Sequence, residues 1–167
     1  MKSTLNNTRQ KGFSLIELLI VVVILGVLAA IAIPNLLVSR RAANESSAIS
    51  SVRTLGSAEA TFFSTDGQNQ VYANGDELFQ ARLIDDVLYD AANGGTPKSG
   101  YRFSIATTGT PGPGAGFLVT SLPTSPTGLT ATGSRNFCIM VNGVIKAVPA
   151  PAADFDETTC ADAPPLQ

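Results

Sequence analysis

A single carboxylate, Glu17, stands inside an apolar run from Phe13 to Ile33, 21 residues that hold no other charge. An acid buried within a membrane-spanning helix costs roughly 2.5 to 3.5 kcal/mol on insertion scales, so its presence calls for a compensating partner. Phe13 and Glu17 are four apart and therefore share one helical face. Other groups with chemical potential are two cysteines, Cys138 and Cys160, and two acidic sets. Asp76, Glu77, Asp85, Asp86 and Asp90 follow no metal-loop spacing and read as a solvated helix face. Asp154, Asp156 and Glu157, with Asp162 nearby, offer hard oxygen ligands and make a weak calcium candidate against a solvated acidic loop. The chain has no His and only two Cys. Hydrolytic triads built on His and structural zinc sites are thereby disfavoured, and no cofactor is expected. A net charge of -2 and a pI near 5.0 give no broad attraction to nucleic acid.

The elements that must position these residues divide the 167-residue chain unevenly. Of 15 Gly and 10 Pro, only Gly12, Gly26, Pro34 and Gly56 fall within the first 66 residues. The first third reads as one long helix and the rest as a turn-rich sheet domain, an α+β arrangement. As a helix, residues 13–33 extend about 31 Å at ~1.5 Å per residue, enough for a hydrocarbon core of ~30 Å. Lys2, Arg9 and Lys11 precede this run, and Arg40 and Arg41 follow it. The mild asymmetry keeps the start of the chain cytoplasmic and exports the rest. A cleavable signal peptide is one reading, with Ala30, Ile31 and Ala32 placing small residues before a new terminus at Ile33. A plain anchor is another. Glu17 argues against both.

The residues Lys11-Gly12-Phe13-Ser14-Leu15-Ile16-Glu17-Leu18, running on through LIVVVILGVLAAIAIP to Pro34, closely resemble the class III signal and N-terminal helix of type IV pilins and type II secretion pseudopilins. The resemblance covers about residues 9–40. It implies that a prepilin peptidase cuts after Gly12 and methylates Phe13, and that Glu17 becomes the fifth residue of the mature chain. It further implies a structural subunit and not an enzyme: a homo-polymer assembled by an inner-membrane platform and its ATPase, as a pilus or as a pseudopilus. Cleavage would create an ammonium at Phe13, and Glu17 of a neighbouring subunit is its expected counter-charge. Such a pair inside an apolar bundle fixes axial register, because removing one partner costs on the order of 3 to 5 kcal/mol. Loss of the leader, residues 1–12, would also leave 8 basic against 13 acidic side chains. The resulting filament would be acidic and would not attract DNA unaided.

Gly26 and Pro34 are the weak points of the helix, either as a kink or as a stretch that melts in the filament, as the resemblance implies. Residues 13–33 form the spanning and filament-core part, and 34–64 an amphipathic continuation. There Val38, Ala42, Ile49, Val52, Leu55, Phe62 and Phe63 are the expected inward stripe, with Arg40, Arg41, Asn44, Glu45, Arg53 and Glu59 on the polar side. A connection follows over 65–99, in which Asn74-x-x-Glu77 marks the start of one short helix carrying Phe79, Leu83 and Val87. Residues 100–148 read as four antiparallel strands: 101–106, 117–122, 137–141 and 144–148, the last pair joined through Asn142-Gly143. The helix is expected to pack its second half on one face of that sheet. In an exported protein Cys138 and Cys160 most simply form a disulfide, the alternative being two free thiols, and the bridge would pin a C-terminal tail over 149–167. A disulfide-bounded C-terminal region is also what the resemblance implies.

Overall fold

The computed structural model describes residues 12–151 and 156–166. It consists of two units, residues 1–36 and 37–167. The α+β architecture is the expected one: a long helix, α1 (Leu15–Ser64), whose second half packs on a four-stranded antiparallel sheet. The other elements are α2 (Gly75–Gln80), α3 (Asp86–Ala92), β1 (Tyr101–Gly109), β2 (Ala115–Pro123), β3 (Arg135–Met140), β4 (Lys146–Pro149) and α4 (Glu157–Asp162).

The sheet is a meander in the order β1-β2-β3-β4. Ile105 pairs with Val119, Val119 with Ile139, and Phe137 with Ala147, which aligns alternate apolar residues on one face. Tyr101, Phe103, Phe117, Val119, Phe137 and Ile139 from that face form one core with Ala48, Val52, Leu55, Ala58 and Phe62 of α1. Helix and sheet meet closely at Gly56, where an added Cβ would lie 2.8 Å from Ile139 Cδ1. The helix ends at Ser64, and the turn after it is closed by Gly67, whose N–H bonds to Phe62 O at 2.8 Å. No side chain fits at Gly67, because a Cβ would collide with the Val71 carbonyl.

The inward stripe of α1 differs from the expected one. Val38 and Ala42 are exposed, while Glu45 and Glu59, assigned to the polar side, are buried. Six of the nine buried residues of α1, Glu45, Ala48, Val52, Leu55, Glu59 and Phe62, alternate by threes and fours, and Ser51, Gly56 and Ala58 flank that line. Spacing places a residue on a face, and here it outweighed side-chain polarity because both carboxylates find hydrogen-bond donors inside.

The connection holds two short helices instead of one. Asn74 caps α2 in a complete capping box with Glu77, as the spacing predicts, but the helix stops at Gln80. Arg82 adopts a positive φ, and Asp85 then caps α3 through a bond from Leu88 N. Val87 is consequently exposed, and Leu88 is buried in its place. The acids of this region serve as local caps and ties. Asp76 accepts from Tyr89 Oη and Asn93 Nδ2, and Asp90 from Thr96 N.

Strands β1 and β2 run longer than the periodicity implied, and β3 and β4 are shifted to Arg135–Met140 and Lys146–Pro149. Asn142-Gly143 does turn the chain, with Gly143 at φ 70°. The connection occupies all of residues 141–145, because Ile145 leaves the ladder to enter the core.

Candidate assembly site

Among the described residues the N-terminal unit is a single apolar helix beginning at Leu15, and Phe13, just before it, is 90% exposed. Ser14 and Glu17 have the spacing of a capping box, and half of one is made: the Ser14 backbone N–H donates to Glu17 Oε2 at 3.0 Å. The Glu17 carboxylate therefore turns back toward the N-terminal end of the helix. It lies against the amide next to the position where cleavage after Gly12 would create the Phe13 ammonium. The helix N-terminus favours an anion there as well. From Leu18 to Ile33 every large apolar side chain of this unit is exposed, so the helix presents apolar surface on all sides. It is long and apolar enough to cross a membrane.

Residues 7–33 match the family model described as the prokaryotic N-terminal methylation motif. Beyond that motif, the chain is similar over its N-terminal part to type IV pilins and to core proteins of type II secretion systems. The chain is 44% identical over 68 residues to the type IV major pilin protein PilA of Myxococcus xanthus, covering 41% of this chain and 31% of that protein. It is 46% identical over 50 residues to type II secretion system core protein G of Pectobacterium carotovorum, covering 30% of this chain and 32% of the relative. It is 63% identical over 35 residues to the type IV wide pilus major component PilA4 of Thermus thermophilus, covering 21% and 27%. The chain thus spans roughly a third of the length of these relatives. No solved structure matches it.

The helix of this pilin-like segment runs unbroken through Gly26 and Pro34. Pro34 supplies no N–H to the helix ladder. One residue further on, the Asn35 side chain donates to Ile31 O at 3.1 Å. Nothing within this chain lies within 4 Å of a Cβ added at Gly26, and glycine lowers helix propensity there.

In the second unit the structure reveals two polar ties that sequence reasoning missed. Glu45 Oε1 accepts from Ser134 N and Ser134 Oγ, each at 2.8 Å, and its Oε2 accepts from Arg135 Nε and Nη2 at 2.9 and 2.8 Å. Burial alone would raise the Glu45 carboxyl, but these four donors outweigh it and hold the group below the usual carboxylate range. Arg135 also lies over the Phe137 ring at 5.3 Å, and its carbonyl accepts from Tyr101 Oη. Arg41 and Asn44 extend the clamp to the loop carbonyls of Gly128, Leu129 and Thr132. The second tie is Glu59, which accepts from Ala73 N. The signal that would have found both acids was their place in the three-and-four spacing.

Cys138 and Cys160 are joined in a disulfide with Cα atoms 6.1 Å apart. Both are fully buried with Leu118 on the sheet face away from α1, where Met140 packs beside them. The bridge docks α4, an element not foreseen in the tail, onto β2 and β3. Lys146 Nζ caps that helix by donating to Ala161 O, and residues 164 and 166 bond along the β4 edge. In the weak calcium set, Asp154 lies outside the described residues. Asp156 is committed to the N-cap of α4, taking Thr159 N and Oγ1 at 2.8 Å, and Glu157 opens that helix. Among the described residues no group of three or more acidic, His or Cys side chains is arranged to hold a metal.

Proposed function

We propose that this chain is the structural subunit of a type IV pilus-like filament. It is made as a single-pass inner-membrane precursor with a cytoplasmic leader, cut after Gly12 and methylated at Phe13 by a prepilin peptidase. An assembly platform and its ATPase then polymerise it through α1 into an extracellular filament. The protein acts by assembling, without catalytic chemistry of its own.

The observation that carries this reading is the Glu17 carboxylate, exposed in the first turn of a helix that is apolar on every side. An acid in that position is costly in lipid and in an apolar bundle alike unless a cation meets it. The Phe13 ammonium of an incoming subunit is the cation that cleavage would supply. The same apolar surface serves first against lipid and then against other copies of α1, so extraction from the membrane exchanges one apolar contact for another.

A second reading is the major pseudopilin of a type II secretion system, whose filament is periplasmic; the similarity to protein G chains favours it. Mass spectrometry of the N-terminus tests both. An N-methylated Phe13 is expected, and a terminus at Ile33 refutes both. Imaging cells with and without the gene separates the two, since surface filaments lost on deletion are expected of a pilus alone.

A further inference from the structure

Glu59 lies on the inward stripe of α1 with none of its surface exposed. An ionised carboxyl is costly in that setting unless it is paired. Its Oε2 accepts the Ala73 N–H at 2.9 Å, while its Oε1 is buried without a hydrogen-bond partner. Glu45 with Arg135 is the only ion pair among the described residues, so neither Lys nor Arg compensates Glu59. The titratable groups that act on it are Glu77 of α2 and Tyr72 of the connection, one of like charge and one neutral. The sheet contributes the Phe117 ring beyond Tyr72.

What Glu59 holds is the entry to α2. Ala73 immediately precedes Asn74, the N-cap whose box with Glu77 starts that helix. Tyr72, on the other side of Ala73, stacks on Phe63 of α1 at 4.5 Å and leans on Phe117 of β2 at 4.9 Å. A backbone bond to one side chain thus fastens the connecting segment to the long helix at this point.

The geometry points to Glu59 as a proton-operated latch, which holds residues 72–78 against α1 while it is neutral and lets them open when it ionises. The latch is a property of the second unit alone and does not depend on the filament reading. Burial raises the Glu59 carboxyl, the Ala73 N–H opposes the rise, and the Glu77 charge adds to it, leaving the group at about 7 against an ordinary 4.5. The closed state therefore binds the proton more tightly than the open one. Closure is strongest at acid pH, weakens through the window from 4.5 to about 7, and is weakest above it. The opening constant should rise on the order of a hundredfold across that window.

Amide hydrogen exchange on the full chain in detergent micelles, followed by mass spectrometry at pH 5 and pH 8 and corrected for intrinsic exchange, tests the latch. Peptides covering residues 72–78 are expected to lose protection on the order of a hundredfold at the higher pH. Peptides from β1 and β2 should keep theirs. Glu59→Gln should flatten the profile. Glu77→Gln should move its midpoint to lower pH, because it removes the like charge while glutamine still fills the capping box. Equal protection of residues 72–78 at both pH values in the wild type would overturn the proposal. So would an unchanged midpoint in Glu77→Gln, a comparison that stands even where Glu59→Gln fails to fold.

Discussion

Removing the Cys138–Cys160 bridge tests how far the C-terminal segment depends on a covalent tie. The two cysteines are separated by 22 positions, and closing a loop of that length in the unfolded chain is worth about 3 kcal/mol of stability. Noncovalent contacts add the hydrogen bonds of residues 161, 164 and 166 to the β4 edge and the packing of Leu166 on the main core. The segment's buried cluster holds only Leu118, Cys138 and Cys160 with Met140 at its margin, and α4 is 6 residues long, too short to persist by itself. Cys138→Ser should therefore lower the melting temperature by about 6 to 12 °C, at ~2 to 4 °C per kcal/mol for a domain of this size. Thermal unfolding of the full chain in detergent, oxidised and reduced, is the assay, with hydrogen exchange to locate the loss. Protection should disappear from α4 and from the β4 edge, while α1, β1 and β2 keep theirs. Coincident melting of the oxidised and reduced forms would refute the reasoning, as would a loss of protection spread evenly over the sheet.

Glu17→Val should leave insertion and processing intact, since it makes the helix more apolar and does not touch Gly12; when it is the only copy, processed subunit should stay in the membrane with few or no filaments. Normal filament number and length on electron microscopy would remove Glu17 from the assembly mechanism. Gly12→Val should block cleavage by placing a branched side chain where the extended backbone must enter the peptidase, and an anti-peptide blot should show only precursor. Arg135→Gln should destabilise the second unit by about 1 to 2 kcal/mol, a value below that of a fully buried pair because the Arg135 side chain is 44% exposed. Glu45 has its carboxyl lowered in the folded state, so its stabilising contribution is present above the unfolded value of 4.5 and is lost as pH falls through the folded value. Glu45→Gln should accordingly shrink the difference in melting temperature between pH 7 and pH 3, and an unchanged difference would count against the tie.

Much of this protein is local and was legible as such. The apolar run after Gly12, the lone acid at Glu17, the Asn74-x-x-Glu77 cap and the alternating strands each depend on residues within a few positions of one another. Their structure follows from helix length, capping and strand periodicity, so the sequence by itself determined the α+β class, the four antiparallel strands and the place of the N-terminal methylation motif. The burial of Glu45 and Glu59 could not be read in that way. Each acid is tolerated inside only because distant chain brings it donors, Ser134 and Arg135 in one case and Ala73 in the other. The docking of α4 likewise waits on Cys138, 22 positions away, meeting Cys160 on the far face of the sheet. Tertiary structure alone decided these features, because the cost of burying a charge or ordering a short helix is set by the partners that folding supplies and not by the residues beside it in the chain.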